Sequence, residues 1–207
     1  MNPSSDPHAQ QILILDFGSQ YTQLIARGIR ELNVYCEILP FDADISRIKA
    51  FRPAGVVLSG GPATVTESDT PRADQEAFNL DCPILGICYG MQTMAAQLGG
   101  KVEAAKQREY GFAEIRLTST NPLIDGLHDR LDSDGTGVLK VWMSHGDQVQ
   151  ELPPGFRSLA HTDNSPIAIL GNDKGVFGLQ FHPEVVHTPD GKKIIENFLY
   201  RICHCQG

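Results

Sequence analysis

Apolar positions along this chain change their spacing near residue 111, and the change divides it into two textures. In the first half, Ile12 to Asp16 is an unbroken apolar run that ends on an acid and is soon followed by Gly18. Such a run fits a central strand buried on both faces. Tyr21, Leu24, Ile25, Gly28, Ile29 and Leu32 then fall on one face at a period of 3.6, with Asn33 as a stop, which predicts a helix. Residues 34–39 predict a second strand, 45–51 a short helix, and 55–59 a third strand running into Gly60-Gly61-Pro62. A helix is expected near 72–79. Ile84 to Ile87 reads as a strand that turns at once into a helix, stopped by Gly99-Gly100. Strands and helices alternating in this way imply a mostly parallel sheet with right-handed crossovers.

From Gly111 onward the pattern shortens. Residues 112–117, 138–143, 157–161, 166–170 and 176–181 alternate or run apolar over a few positions, separated by turns such as Pro153-Pro154-Gly155 and Asn172-Asp173. They predict antiparallel additions to the same sheet. A last helix is expected from Pro189, with Ile194, Ile195, Phe198, Leu199 and Ile202 on one stripe covering a sheet face. Residues 133–137, Ser-Asp-Gly-Thr-Gly, read as a mobile loop. The fold class expected is α/β: an open, mostly parallel central sheet flanked by helices, with antiparallel strands at one side.

Composition narrows the function classes more than the fold. The 207 residues suit one well-filled domain, placed at 11–203 with a polar leader at 1–10 and a short tail or linker at 204–207. No apolar run approaches the roughly 18 to 20 residues of a membrane span. The leader has neither a basic region nor an apolar core, as a secretory signal would, and a cytoplasmic location is expected. A net charge of -8 without a lysine or arginine run argues against nucleic acid or an anionic membrane as the main partner. Five cysteines, an odd number, fit a reduced intracellular chain rather than a disulfide framework.

The thiol at Cys88 has the most particular surroundings. Gly86-Ile87-Cys88-Tyr89-Gly90 has the form G-x-C-x-G, the thiol counterpart of the nucleophile elbow. A strand that becomes a helix within one residue strains its apex, and neighbouring side chains would collide there, so glycines flank it. The apex thiol would stand above the carboxyl end of the sheet, at a helix N-terminus whose partial positive charge favours thiolate. Taken alone, the turn fits a buried inert cysteine equally well. A nucleophile needs a base, and the base an orienting group. Phe181-His182-Pro183-Glu184 follows directly on a strand, so His182 and Glu184 emerge at a strand end, where α/β sites form. Alternation about the proline lets imidazole point to the thiol and carboxylate to the imidazole, although alone the segment also fits a surface histidine beside a solvated glutamate. His8, His128 and His204 lie in polar leader, loop or tail segments. Cys203-His204-Cys205 has no second ligand pair, so no metal site is expected. Asp16-Phe17-Gly18 lacks every other kinase element, and no phosphate-loop pattern occurs.

Together, GICYG and, about 90 residues on, FHPE resemble the class I (triad) glutamine amidotransferases. The likeness spans nearly the whole chain through LDFGSQYTQLIARGIRE, LSGGPATV, GICYGMQ, REYG, WMSHGDQV and GLQFHPEVVHT, and the first and fifth of these are worded as in the GMP synthetase branch. The resemblance implies a flavodoxin-like architecture and a glutaminase in which Cys88 attacks the side-chain amide of glutamine, His182 moves protons and Glu184 holds His182. It implies oxyanion donors at Tyr89 and at Gly60 or Gly61, and a grip on glutamine from Gln92, Ser144, His145, Gly146 and Asp147. Gly60-Gly61 also fits a simple turn. No cofactor is expected in this domain. ATP and Mg are expected in a synthetase module of the ATP-pyrophosphatase type, domain or subunit, that takes the ammonia and converts xanthosine monophosphate to GMP. A stand-alone thiol amidase or γ-glutamyl hydrolase, and a non-catalytic module of the same fold, are the alternatives.

Overall fold

The structure is a computed structural model that describes residues 7–207. One ten-stranded sheet runs through it in the order β2-β1-β3-β4-β10-β9-β8-β5-β7-β6. The parallel half comprises β1 (Ile12–Asp16), β2 (Cys36–Pro40), β3 (Gly55–Leu58), β4 (Ile84–Ile87) and β10 (Val176–Leu179). Its registers, Ile12 with Gly55, Val56 with Ile84 and Leu179 with Ile87, bring the carboxyl ends of β3, β4 and β10 level with one another. The strand order in this half is the doubly wound one, with helices on both faces.

Because the parallel strands are buried on both faces, their alternate residues serve two cores. Ile12, Ile14, Val57 and Leu85 pack on one side against Ile25 and Ile29 of α1 (Thr22–Glu31), and against Ile194, Phe198 and Leu199 at the end of the chain. Leu13, Leu15, Val56 and Leu58 pack on the other against Ile48 of α2 (Ile45–Phe51) and Met91 and Met94 of α3 (Tyr89–Gln97). Each such fully buried side chain contributes about 1.5 to 3 kcal/mol. Asn33 stops α1 as expected, adopting the left-handed conformation at φ 61.

The segment expected to be a helix near 72–79 forms only a 3-10 turn, Gln75–Asn79. Asp74 accepts from the Glu76 N–H, while the side chain of Gln97 bonds both the N–H and the carbonyl of Ala73. These bonds hold the chain extended at 73 and tie it to α3 instead of letting a helix begin earlier. The last helix, α4 (Gly191–Asn197), starts two residues later than Pro189 and continues as a π turn over Phe198–Ile202.

In the antiparallel half, β8 (Arg157–His161) and β9 (Ile169–Gly171) link β10 to a long two-stranded ribbon of β5 (Lys101–Leu117) and β7 (Gly137–Glu151). A two-residue strand, β6 (Arg130–Leu131), closes the edge. The ribbon is far longer than the 112–117 and 138–143 segments expected, and its register breaks between Ala104 and Glu109. Of the expected polar leader, Pro7–Gln10 forms a 3-10 turn and residues 1–6 lie outside the described residues. The tail folds back onto this turn, the Gln206 N–H donating to Gln10 Oε1 and Cys205 lying buried.

Candidate active site

Cys88 sits at the junction of β4 and α3 with φ 53 and ψ -111, a conformation that costs an L-residue of order 1 to 3 kcal/mol. The glycines around it are sterically required. A Cβ on Gly90 would lie 2.4 Å from the Leu58 carbonyl oxygen, and one on Gly86 2.8 Å from the Met91 nitrogen. The apex is anchored by its own N–H, which donates to the Leu179 carbonyl at 2.7 Å. Its sulfur lies 3.6 Å from the Ser144 carbonyl, to which the thiol donates, and 3.8 Å from Gln180 Nε2.

His182, just past β10, is buried, and its backbone is fixed from both sides. Its N–H donates to the Trp142 carbonyl at 3.1 Å and its own carbonyl accepts the Thr188 hydroxyl at 2.6 Å. Nδ1 bonds Glu184 Oε1 at 2.7 Å, leaving Nε2 for the thiol, and the Tyr21 ring stands edge-on to the imidazole at 5.5 Å. Burial alone would push the His182 pKa down. Hydrogen bonds with Cys88 and Glu184, together with their charges, outweigh it and raise the value to about 10. The Glu184 side chain is wholly buried and its Oε2 has no hydrogen-bond partner.

Gly60 lies over both groups. A Cβ there would come 3.1 Å from His182 Cε1 and 3.6 Å from Cys88 Cβ, whereas one on Gly61 would strike the Phe17 carbonyl oxygen at 2.4 Å. The geometry therefore separates the two glycines: Gly60 faces the thiol and the imidazole, and Gly61 packs its Cα side against the turn after β1. That turn is locked by Ser59, whose hydroxyl accepts the Phe17 N–H at 2.9 Å and donates to the Gly60 carbonyl at 2.9 Å. Asp16 Oδ1 accepts the Gly18 N–H and the Thr22 hydroxyl, a purely structural part for the Asp16-Phe17-Gly18 triplet. The Tyr89 ring turns away into the second core, against Phe17, with its hydroxyl donating to the Pro71 carbonyl. Only its backbone, the first residue of α3, belongs to the site.

A cavity of about 330 Å³ opens beside the thiol, lined by Gly61, Cys88, Gln92, Arg108, Tyr110 and residues 144–147. Gln92 donates to the Asp147 carbonyl at 3.0 Å and to Gln180 Oε1 at 3.2 Å. Asp147 also lines this cavity, and its carboxylate Oδ2 is buried without a hydrogen-bond partner. Burial raises its pKa, against the opposing pull of the Arg108 guanidinium. His145 Nδ1 donates to the Asp147 carbonyl at 2.8 Å, and its Nε2 meets Glu109 at 3.2 Å. A larger groove of about 670 Å³ runs between α1 and residues 183–189; it touches Glu184 but not Cys88.

All the residues expected from sequence at the site thus meet at one end of the sheet. Residues to which the sequence reading gave no role of their own also stand there, among them Tyr21, Arg108, Glu109, Tyr110, Trp142 and Gln180. Gln180 had a signal, since it is the one amide in the apolar run leading into Phe181-His182. Among the described residues no group of three His, Cys, Asp or Glu could hold a metal ion, and no helix is long and apolar enough to cross a membrane. Cys203 packs against Gly55, where a Cβ would meet its sulfur at 2.4 Å, and burial pushes its thiol pKa up.

Comparison with known proteins adds an independent line. The family model for glutamine amidotransferase class-I matches residues 13–202. A GMP synthase (glutamine-hydrolyzing) of Methylococcus capsulatus is 56% identical over 204 residues, which are 98% of this chain and 39% of that protein. One from Pseudomonas syringae is 54% identical over 203 residues, with the same two shares. The chain therefore spans about two fifths of the length of the curated relatives it matches. Among solved structures, a putative GMP synthase subunit from Thermoplasma acidophilum superposes with TM-score 0.77 at 28% identity, covering 94% of each chain. A glutamine amidotransferase from Thermotoga maritima shares the fold, with TM-score 0.69 at 18% identity over 94% of this chain and 98% of that one.

Proposed function

The chain belongs to the class-I glutamine amidotransferase family, and on that premise we propose that it carries out the glutaminase half-reaction of a GMP synthase. In this reading it releases ammonia from glutamine for an ATP-dependent synthetase part, domain or subunit, that aminates xanthosine monophosphate. One observation carries the chemistry: a strained apex thiol beside a buried imidazole and carboxylate, opening on a cavity lined by Gln92, Arg108 and Asp147. Support for the synthetase partner comes from the relatives, which are named GMP synthase and are more than twice as long as the matched region. ATP and Mg belong to that partner in this proposal. The five cysteines, all unpaired as thiols, suit a reducing cytoplasm.

Glutamine enters with its α-ammonium toward Asp147 and its α-carboxylate toward Arg108, which places the side-chain amide at Cys88. In this proposal the Cys88 proton passes to His182 Nε2, a transfer that the raised His182 pKa favours. Sulfur attacks the amide carbon and the carbonyl oxygen becomes an oxyanion, held by the backbone N–H groups of Tyr89 and the Gly60 turn. One such donor is typically worth about 100 to 1000-fold in rate. His182 gives its Nε2 proton to the departing nitrogen; the C–N bond breaks, ammonia leaves and a γ-glutamyl thioester remains. The now neutral imidazole takes a proton from water, whose oxygen attacks the thioester and releases glutamate. Throughout, Glu184 fixes the ring through Nδ1 and balances its charge.

A diazoketone analogue of glutamine tests the proposal. Incubated with the chain in the presence of the synthetase part, it is expected to label Cys88 alone, and glutamine is expected to protect. No adduct on Cys88 under those conditions would overturn the enzyme reading.

A further inference from the structure

Behind the glutamine cavity lies a buried polar cluster that the proposed chemistry does not use. Glu109 is paired in register with His145 across the β5–β7 ribbon, immediately after the break in register, and both are buried. Its Oε1 takes the His145 Nε2 at 3.2 Å and the Ser165 hydroxyl; its Oε2 takes the Thr162 hydroxyl at 3.1 Å. Thr162 is itself oriented, since its oxygen accepts the N–H groups of Asn164 at 3.2 Å and Ser165 at 2.8 Å. Burial would raise the Glu109 pKa, but the bonds from His145, Ser165 and Thr162 and the charge of His145 win and lower it. The carboxylate is therefore ionised, and its His145 neighbour must present an N–H at Nε2.

The other ring nitrogen faces the Asp147 carbonyl at 2.8 Å. With a partner at each nitrogen, the ring is held between Glu109 and the backbone of Asp147. That backbone carbonyl also receives Gln92. The strut thus runs from the 162–165 turn through Glu109 and His145 to Asp147, which lines the cavity. Such buried polar contacts contribute little net stability, because desolvation offsets attraction, but two bonds of fixed direction specify position.

Resting on the glutaminase reading above, we infer that Glu109 is a positioning residue for substrate: through His145 it sets the height and orientation of the Ser144–Asp147 segment that receives glutamine, without touching the reacting atoms. Thr162 and Ser165 orient Glu109 in turn. The pair therefore governs affinity for glutamine more than the rate of its cleavage.

The test is Glu109→Gln, assayed with the synthetase part present. We expect the glutamine KM to rise about tenfold, the worth of roughly one charge-assisted bond, with kcat within about twofold. Alkylation of Cys88 by iodoacetamide, which is too small to need the grip, is expected to proceed at the parent rate. An unchanged KM, or a fall in kcat and alkylation to match the change in KM, would overturn the inference. Should Glu109→Gln not fold, Thr162→Val leaves the charge in place and removes the bond to Glu109 Oε2, along with the acceptor for the Asn164 and Ser165 N–H groups. It is expected to raise KM about threefold at unchanged kcat, on the scale of a hydrogen bond's modest net worth, and an unchanged KM would again overturn the inference. A parent chain that cleaves no glutamine and takes no diazoketone adduct would instead defeat the functional proposal itself.

Discussion

The two halves of the sheet supply different things to one site, and they hold them by different means. Cys88, Gly60 and His182 stand on the parallel half, where backbone packs against backbone: a single added carbon at Gly90 or Gly86 meets main-chain atoms within 3 Å. Ser144 to Asp147 stand on the antiparallel ribbon, much of which is exposed and whose register slips beside Glu109. There the position is set by polar side chains, Glu109, His145, Gln92 and Gln180. The difference teaches a division of labour. On the proposed function, the reacting atoms sit where packing leaves no freedom, and the substrate grip sits where a few hydrogen bonds can be retuned.

Substitutions that strike one half alone can break that comparison. The largest effect is expected at Cys88. Cys88→Gly removes the proposed nucleophile and should lower glutamine turnover by more than about 10,000-fold. Because glycine tolerates φ 53 without strain, thermal unfolding should show a protein no less stable than the parent. Next comes Asp147→Asn on the ribbon, which should raise the glutamine KM about 10 to 100-fold while kcat changes far less, as for loss of one buried charge-assisted contact. Gly60→Ala crowds His182 Cε1 at 3.1 Å and should reduce kcat about tenfold by displacing the ring, with KM nearly unaffected. If Asp147→Asn lowered kcat and Gly60→Ala raised KM, the division of labour would be wrong.

A smaller effect separates the halves by pH. The His182 pKa is raised from 6.5 to about 10, so the folded state holds a proton that the unfolded chain releases between those values. Its contribution to stability is complete below about pH 6.5 and is lost as pH rises through 10. Urea midpoints should therefore fall over this window in the parent and fall less in His182→Asn. The smallest effect is expected at Phe112, 69% exposed on the ribbon: Phe112→Ser should change stability by about 0.5 kcal/mol or less.

The same contrast explains what was legible in the chain. Strands buried on both faces must be continuous aliphatic runs, so β1, β3 and β4 could be read directly, and the steric demand for glycine made GICYG conspicuous. The ribbon carries no such signature. Lys101 to Gly111 is polar and mostly exposed, with Gly111 at φ 90 inside the strand, and pairing between two strands fixes it without any periodic apolar face. Ser144 to Asp147 fall outside the strand expected over 138–143 for the same reason, yet they continue β7. Glu109, Thr162 and Ser165 are ordinary polar residues until tertiary structure buries them together. The helix expected over 72–79 failed because side-chain bonds from Gln97 to Ala73 compete with helix start, a contact no local pattern contains.

The central claim is that Cys88 on the rigid half carries the glutamyl group while the ribbon sets only how readily glutamine arrives. Acid quench during turnover, followed by intact and peptide mass measurement, reads this directly. The account predicts a γ-glutamyl thioester on Cys88 alone, with Asp147→Asn reaching the same maximal occupancy as the parent but at higher glutamine. A glutamyl group on another residue, or an Asp147→Asn occupancy that stays low at saturating glutamine, would contradict it.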